Sequence, residues 1–336
     1  MIERGSLRSS RRKFITLLAG AAAAWPFAAS AQQSVRIRRI AVLASILSAD
    51  DAEWQARGTA FVQALQERGW TDGRNLRIEY RWGLGDVERV RKYASELVAL
   101  TPDVLLAAGG LAAEALRAAT QTLPIVFANV GDPVSNGLVA SLARPGGNVT
   151  GFMIYEFAFS AKYLELLKQV APRVTRAAII RTLGINVGGL GAMQAVAPSL
   201  GVELTPFLIR DVSDINPAIT SFARGPNDGM IVLGDGARRS LREPIIALAA
   251  AHRLPAVYSI RRFVAEGGLI SYGPDRSEPY RLAAGYVDRI LKGEKPADLP
   301  VQQPTRFETV INLKTARALG FDIPANVFAR ADEVIE

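Results

Sequence analysis

From Ile37 onward, short apolar runs alternate with longer stretches in which apolar residues recur every three or four positions, and this continues almost to the end of the chain. The pattern predicts strands followed by helices, the arrangement of parallel sheets covered on both faces. IRRIAVLAS (37–45) is apolar and β-branched enough for a buried strand, and a helix is expected from Ala52 to Arg68, ended by Gly69. NLRIEYRW, DVLLAAGG and PIVFANV read as strands, with helices at VERVRKYASELVAL and LAAEALRAAT between them. After the turn cluster Gly146-Gly147-Asn148, VTGFMIY leads into a second series. There, strands RAAIIRT, VELTPFLI, GMIVLG, PAVYS and GGLISY interleave with helices at AFSAKYLELLKQVA, MQAVAPSLG, INPAITSFA and REPIIALAAAHR. A helix from Pro279 to Leu291, an extended surface connection at KPADLPVQQP, and a last strand and helix in FETVINLKTARALG complete the expectation. The predicted fold class is α/β, with two doubly wound parallel-sheet series dividing near Thr150.

The segment ahead of this pattern changes the picture of charge and compartment. Arg4, Arg8, Arg11, Arg12 and Lys13 precede an uncharged Ala- and Leu-rich run from Phe14 to Ala24, then Pro26 and Ala29-Ser30-Ala31. That layout predicts a secretory signal over residues 1–31, cut before Gln32, and the paired arginines resemble a twin-arginine export signal. An uncleaved membrane anchor is the alternative, because about 20 apolar residues span a bilayer. Removing residues 1–31 takes away five positive charges and one negative, so the formal net charge falls from +8 to +4. The remaining chain is only mildly basic and lacks the clustered Lys and Arg of a nucleic-acid surface. With no cysteine anywhere, disulfides, thiolate metal sites and attachment through a lipidated cysteine are excluded. The 305 residues after the leader make about two domains at roughly 150 residues each.

Ligands of open parallel sheets bind at the carboxyl ends of strands, so two facing lobes make a cleft lined by the residues that follow their strands. Gly109-Gly110 opens a helix, where free N–H groups hold an anion or the glycines simply make a tight turn. Asp132, in NVGDPV, either faces the cleft or caps a helix containing Asn136 to Leu142, with Pro133 at the first helical position. Asp235 after GMIVL and Asp275 after GGLIS either pair with a ligand ammonium or serve as caps and turns. His252, the single histidine, sits at a helix end beside Arg253, which suits the helix dipole better than catalysis. A Ser-His-Asp triad or a histidine metal site therefore has little material. The glycine run from Gly184 to Gly191 fails the dinucleotide test at Gln194, no lysine follows as a phosphate loop requires, and a surface loop is expected there. No G-x-S-x-G elbow is present.

These features resemble the periplasmic substrate-binding proteins of ABC importers, in the branch with the type I binding-protein fold that includes tryptophan- and other amino-acid-type binders. The resemblance spans nearly the whole chain. It is carried by ALQERGWTDGRNLRIEYRW, TLPIVFANVGDPVSNGLVASLARPGGNVTG, AAAHRLPAVYSIRRFVAEGGLISYGPD, YVDRILKGEKPADLPVQQPTRFETVINLKTARALG and FARADEVIE. It implies two lobes joined by three chain crossings, near Thr150–Phe152, Tyr272–Asp275 and Gln303–Phe307. Residues 32–150 plus 276–303 would form the first lobe, and 151–275 plus 304–336 the second. Ser45, Gly109, Gly110, Asn129, Gly131 and Asp132 would line one side of the cleft, and Asp235, Tyr258, Tyr272 and Asp275 the other. Two departures fall on the second lobe: TLGINVGGLG stands where relatives commonly carry Asn-Pro, and the proline that often precedes the acid after Gly234 is missing. The implied function is capture of a small organic ligand, an amino acid or an aromatic or carboxylate-like molecule, and its delivery to an inner-membrane permease with ATPase subunits. The chain would act in the periplasm as a monomer, with no cofactor, metal or nucleic acid and no catalysis. The competing classes are an exported α/β enzyme and a ligand-sensing lobe of a receptor.

Overall fold

The computed structural model describes residues 37–154, 157–182, 187–233 and 239–336. The leader read over residues 1–31, and Asp235, lie outside the described residues.

The first five strands are β1 (Arg38–Ala44), β2 (Leu76–Trp82), β3 (Val104–Ala108), β4 (Ile125–Val130) and β5 (Val149–Met153), with helices α1 (Ala52–Gln66), α2 (Val87–Ala99) and α3 (Gly110–Ala119) between them. They form one parallel sheet in the order β2-β1-β3-β4-β5. β1 shows why both faces are covered: Ile40, Val42 and Ala44 join the core beneath α1, whereas Ala41 and Leu43 join the core beneath α2 and α3. The Asp86 side chain accepts from Arg89 N and caps α2, whose Val90, Ala94 and Leu97 recur on one face and are completely buried. Burying a side chain such as Leu97 contributes roughly 1.5–3 kcal/mol.

The second lobe contains α4 (Ala161–Val170), β6 (Arg176–Thr182), α5 (Val187–Val196), β7 (Glu203–Ile209), α6 (Ile215–Phe222), β8 (Asp228–Leu233), α7 (Arg239–Ala251), β9 (Ala256–Tyr258), α8 (Arg261–Ala265) and β10 (Ile270–Pro274). The chain then returns to the first lobe as α9 (Glu278–Leu291), which packs on α1, and re-enters the second as β11 (Phe307–Asn312), α10 (Leu313–Leu319), α11 (Ala325–Phe328) and β12 (Glu333–Ile335). The second sheet runs β12-β11-β10-β9-β8-β6-β7.

Several expectations need correction. β11 pairs antiparallel with β10, since the chain leaves the second lobe at the end of β10 and comes back from the same side. β5 belongs to the first sheet, which therefore extends to Met153 rather than dividing near Thr150. The glycine run continues into helix from Val187, so its later part is not a surface loop. No helix spans Asn136–Leu142; the chain makes turns there, with Leu138 N and Val139 N both donating to Pro133 O. KPADLPVQQP is no surface connection: Pro296, Leu299 and Val301 are buried, and the Thr150 hydroxyl donates to Leu299 O at 2.6 Å. The short elements α8, α11 and β12 went unread.

The three crossings lie side by side. On the first-lobe side Met153 N donates to Gln302 O (2.8 Å) and Gln302 N to Gly151 O (3.0 Å). On the second-lobe side Pro274 stands in register with Phe307. The Phe307 ring stacks on Phe159 (4.5 Å between centroids) and on Tyr272 (5.4 Å), and Tyr163 meets Tyr272 edge-on at 6.0 Å. Rings from the second and third crossings, Tyr272 and Phe307, thus share one stack with Phe159, which precedes α4.

Candidate functional site

The carboxyl ends of the first sheet bring six of the expected residues to one edge. Ser45 follows β1 and is buried, with its hydroxyl donating to Ala108 O at 3.0 Å. Gly109 follows β3 with φ +101°, and a Cβ there would stand 2.7 Å from Ser45 Oγ, so glycine is required for both backbone and space. Gly110 begins α3, which no side chain caps. Asn129 adopts φ +62°, a left-handed conformation that asparagine tolerates. Its Nδ2 donates to Arg276 O at 3.0 Å, clasping the second crossing to the first lobe, while its buried Oδ1 has no hydrogen-bond partner. Gly131 and Asp132 follow β4. Asp132 closes a turn by accepting from Ser135 N at 3.0 Å. Burial pushes its carboxyl up, but the hydrogen bonds from Ser135 and Val134 bring it below its ordinary value.

Among the described residues expected on either side, only Asp275 lines the cavity between the lobes; the six at the first sheet's edge do not. Tyr258 is buried in the core beneath α7 and α8 with its ring stacked on Phe263 at 4.8 Å, and burial pushes its hydroxyl well up. Alternation along a three-residue strand turned it away from the cleft. Tyr272 belongs to the aromatic stack and lines a separate hollow between α4 and β11.

The cavity that Asp275 lines is about 410 Å³ in volume. One wall is the start of α1, with Glu53 and Arg57; the other is α8 and its flanks, with Arg261, Arg262 and Glu266. Pro274 to Ser277 and Glu308 complete it. None of these charged residues besides Asp275 was singled out from the sequence. They come from a helix start, a five-residue helix and the beginning of β11, and no spacing along the chain links them.

Charge runs through this wall as a network. Arg242, 1% exposed, donates both Nε and Nη2 to Glu266 at 2.9 Å. Glu266 also accepts from Arg262 Nε at 3.1 Å, and Arg262 Nη1 reaches across to Asp51 (3.4 Å) and Glu53 (3.5 Å) on the first lobe. Glu53 in turn holds the buried Arg57 at 2.5 Å. Among the described residues, the contacts of Arg262 with Asp51 and Glu53 are the ion pairs that join the two lobes directly. Replacing Arg262 with Gln should therefore widen the unliganded molecule in small-angle scattering while costing about 1 kcal/mol or less of stability, as partly exposed pairs do. An unchanged scattering curve would show that the contact does not hold the lobes together.

A family model described as ABC transporter substrate binding protein matches residues 39–335. The chain is 30% identical over 261 residues to a tyrosine-binding protein of Clostridioides difficile (strain R20291), covering 77% of this chain and 75% of the relative. Among solved structures, an ABC domain in complex with L-Trp from Streptococcus pneumonia matches with a TM-score of 0.79 at 27% identity, covering 89% of this chain and 99% of that one. The ligand-free, open structure of a substrate binding protein with adhesive properties from Clostridium difficile matches with a TM-score of 0.72 at 25% identity, over 89% and 99% of the two chains.

Proposed function

Because the chain belongs to the family of ABC transporter substrate-binding proteins, we propose that it captures an amino acid with an aromatic side chain between its two lobes and hands it to an inner-membrane permease driven by ATPase subunits. The observation that carries this reading is the charged cavity between two α/β lobes joined by three adjacent crossings. The relatives that bind tyrosine and L-Trp supply the ligand class. The better match to the L-Trp complex than to the open, ligand-free structure fits an arrangement in which Arg262 already spans the lobes.

Capture needs no chemistry. Contacts made by both lobes stabilise the closed arrangement over the open one, and the shift is limited by the ligand's difference in affinity for the two. Among the described residues, the first lobe comprises 37 to about 154, α9 and the segment to Gln303, and the second comprises the others, with hinge motion absorbed at the crossings. The work is done in the periplasm, after export directed by the arginine-led leader. No helix among the described residues is long and apolar enough to cross a membrane.

The direct test is thermal melting of the protein from Gln32 onward with L-tryptophan, L-tyrosine and the other amino acids. A ligand at about 100 times its dissociation constant should add roughly 2.7 kcal/mol. Silence across amino acids and aromatic acids, or turnover of a molecule that does bind, would overturn the proposal.

A further inference from the structure

Resting on the reading that the cleft takes an amino acid, we infer that Arg276 and the Asp275–Glu308 pair form the receptor for its charged head group: Arg276 takes the carboxylate, and the two acids take the ammonium. Arg276 lines the cavity, is half-buried, and among the described residues its guanidinium has no hydrogen bond and no ion pair. The other arginines on the cavity wall are engaged. Arg57 is held by Glu53, Arg261 by two bonds to Glu333, and Arg262 by Glu266 and the first lobe. The backbone of Arg276 is fixed from both sides, by Asn129 on its carbonyl and by the turn in which Ser277 N donates to Asp275 Oδ1 at 2.8 Å. A half-buried cation held in place with no counter-charge favours an anion brought by a ligand.

The acids show the opposite need. Glu308, 26% exposed, is pushed up first by burial and then by the negative charge of Asp275. Asp332 adds to that push, while Arg306, itself 62% exposed and 3.5 Å away, and Arg261 offset it in part. A carboxylate pushed up by burial and by a neighbouring acid is stabilised by an added cation. One cavity therefore presents both halves of a zwitterion's complement.

The test is calorimetric titration of wild type, Arg276→Gln and Glu308→Gln with L-tryptophan, tryptamine (no carboxylate) and indole-3-propionate (no ammonium). Arg276→Gln should weaken L-tryptophan roughly 10- to 100-fold and leave tryptamine nearly unchanged. Glu308→Gln should weaken L-tryptophan and leave indole-3-propionate nearly unchanged. With wild type, L-tryptophan affinity should rise with pH on the alkaline side of 4.5, the ordinary value of a glutamate, as Glu308 ionises, and this slope should vanish in Glu308→Gln. Equal loss for all three molecules in a variant, or full retention of L-tryptophan binding, overturns the inference alone. If wild type binds none of the twenty amino acids, the parent reading falls and the inference with it.

Discussion

Replacing Gly151 with alanine should cost about 3 kcal/mol or more, at or beyond the upper end of overpacking penalties. Gly151 lies in β5 with φ +152°, and a Cβ there would stand 2.1 Å from Phe127 O and 2.6 Å from Phe127 N. These are backbone atoms of the neighbouring strand β4, paired in register with Gly151, so no side chain can swing aside. β5 would have to move off β4. The displacement would also pull on Gln302, whose N–H donates to Gly151 O at 3.0 Å, and so loosen two crossings at once. Urea denaturation checks this, with Gly147→Ala as control: that glycine is exposed and a Cβ there meets nothing within 4 Å. The control should stay within about 0.5 kcal/mol of wild type. A Gly151→Ala protein as stable as the control would mean the strands tolerate a side chain between them.

Glu266→Gln should cost roughly 3 kcal/mol, toward the lower end for breaking a buried ion pair because Glu266 itself is 32% exposed. The loss arises at Arg242, whose side chain is 1% exposed and would keep its charge without a counter-charge. Its Nη1 already lacks a hydrogen-bond partner, so the site has no alternative acceptor to offer. The effect carries a pH signature. The hydrogen bond from Arg242, more than any other cause, holds the Glu266 carboxyl below its ordinary 4.5. A carboxylate lowered in the folded state contributes stability above its unfolded value and loses that contribution as pH falls through the folded one. The gap between wild type and Glu266→Gln should therefore be full near neutrality and shrink on the acid side of 4.5. A gap that stays constant down to the folded value would assign the loss to packing instead. Because Glu266 also holds Arg262, this variant should loosen the lobes as Arg262→Gln does.

The repeating elements were legible because each carries its own period. β1, β3, β4, β6 and β8 are buried on both faces and read as nearly unbroken apolar runs, and α2 declares itself by Val90, Ala94 and Leu97 after Asp86. What was misread depends on tertiary partners. The antiparallel sense of β11 follows from the route of the chain through α9, which leaves no mark on FETVIN itself. Leu299 and Val301 sit in a proline-rich stretch whose polar neighbours hide that it packs against β5 and α9. The same division holds at the site. Ser45, Gly109 and Asn129 stand at strand ends as the pattern predicts, but none of them lines the cavity between the lobes. Arg57, Arg262, Glu266 and Glu308 meet only when the lobes face each other. Tyr258 shows the converse, a strand-end aromatic whose side of the strand, rather than its position along it, decided its fate.

The ring stack of Phe159, Phe307 and Tyr272 has a mechanical consequence. Two rigid bodies joined by one flexible strand can rotate about three axes, but adjacent tethers held in one plane leave a single axis free. Here the tethers are bonded together above, through Met153 and Gln302, and layered ring on ring below. All three rings sit on the second-lobe side, where they brace the roots of the tethers, so a twist or shear of the lobes would fall on the short segments between the rings and the Met153–Gln302 bonds. Any swing of one lobe against the other would then turn about the line of these tethers, and a molecule filling the cavity between Arg57 and Glu308 would have one such swing to bias.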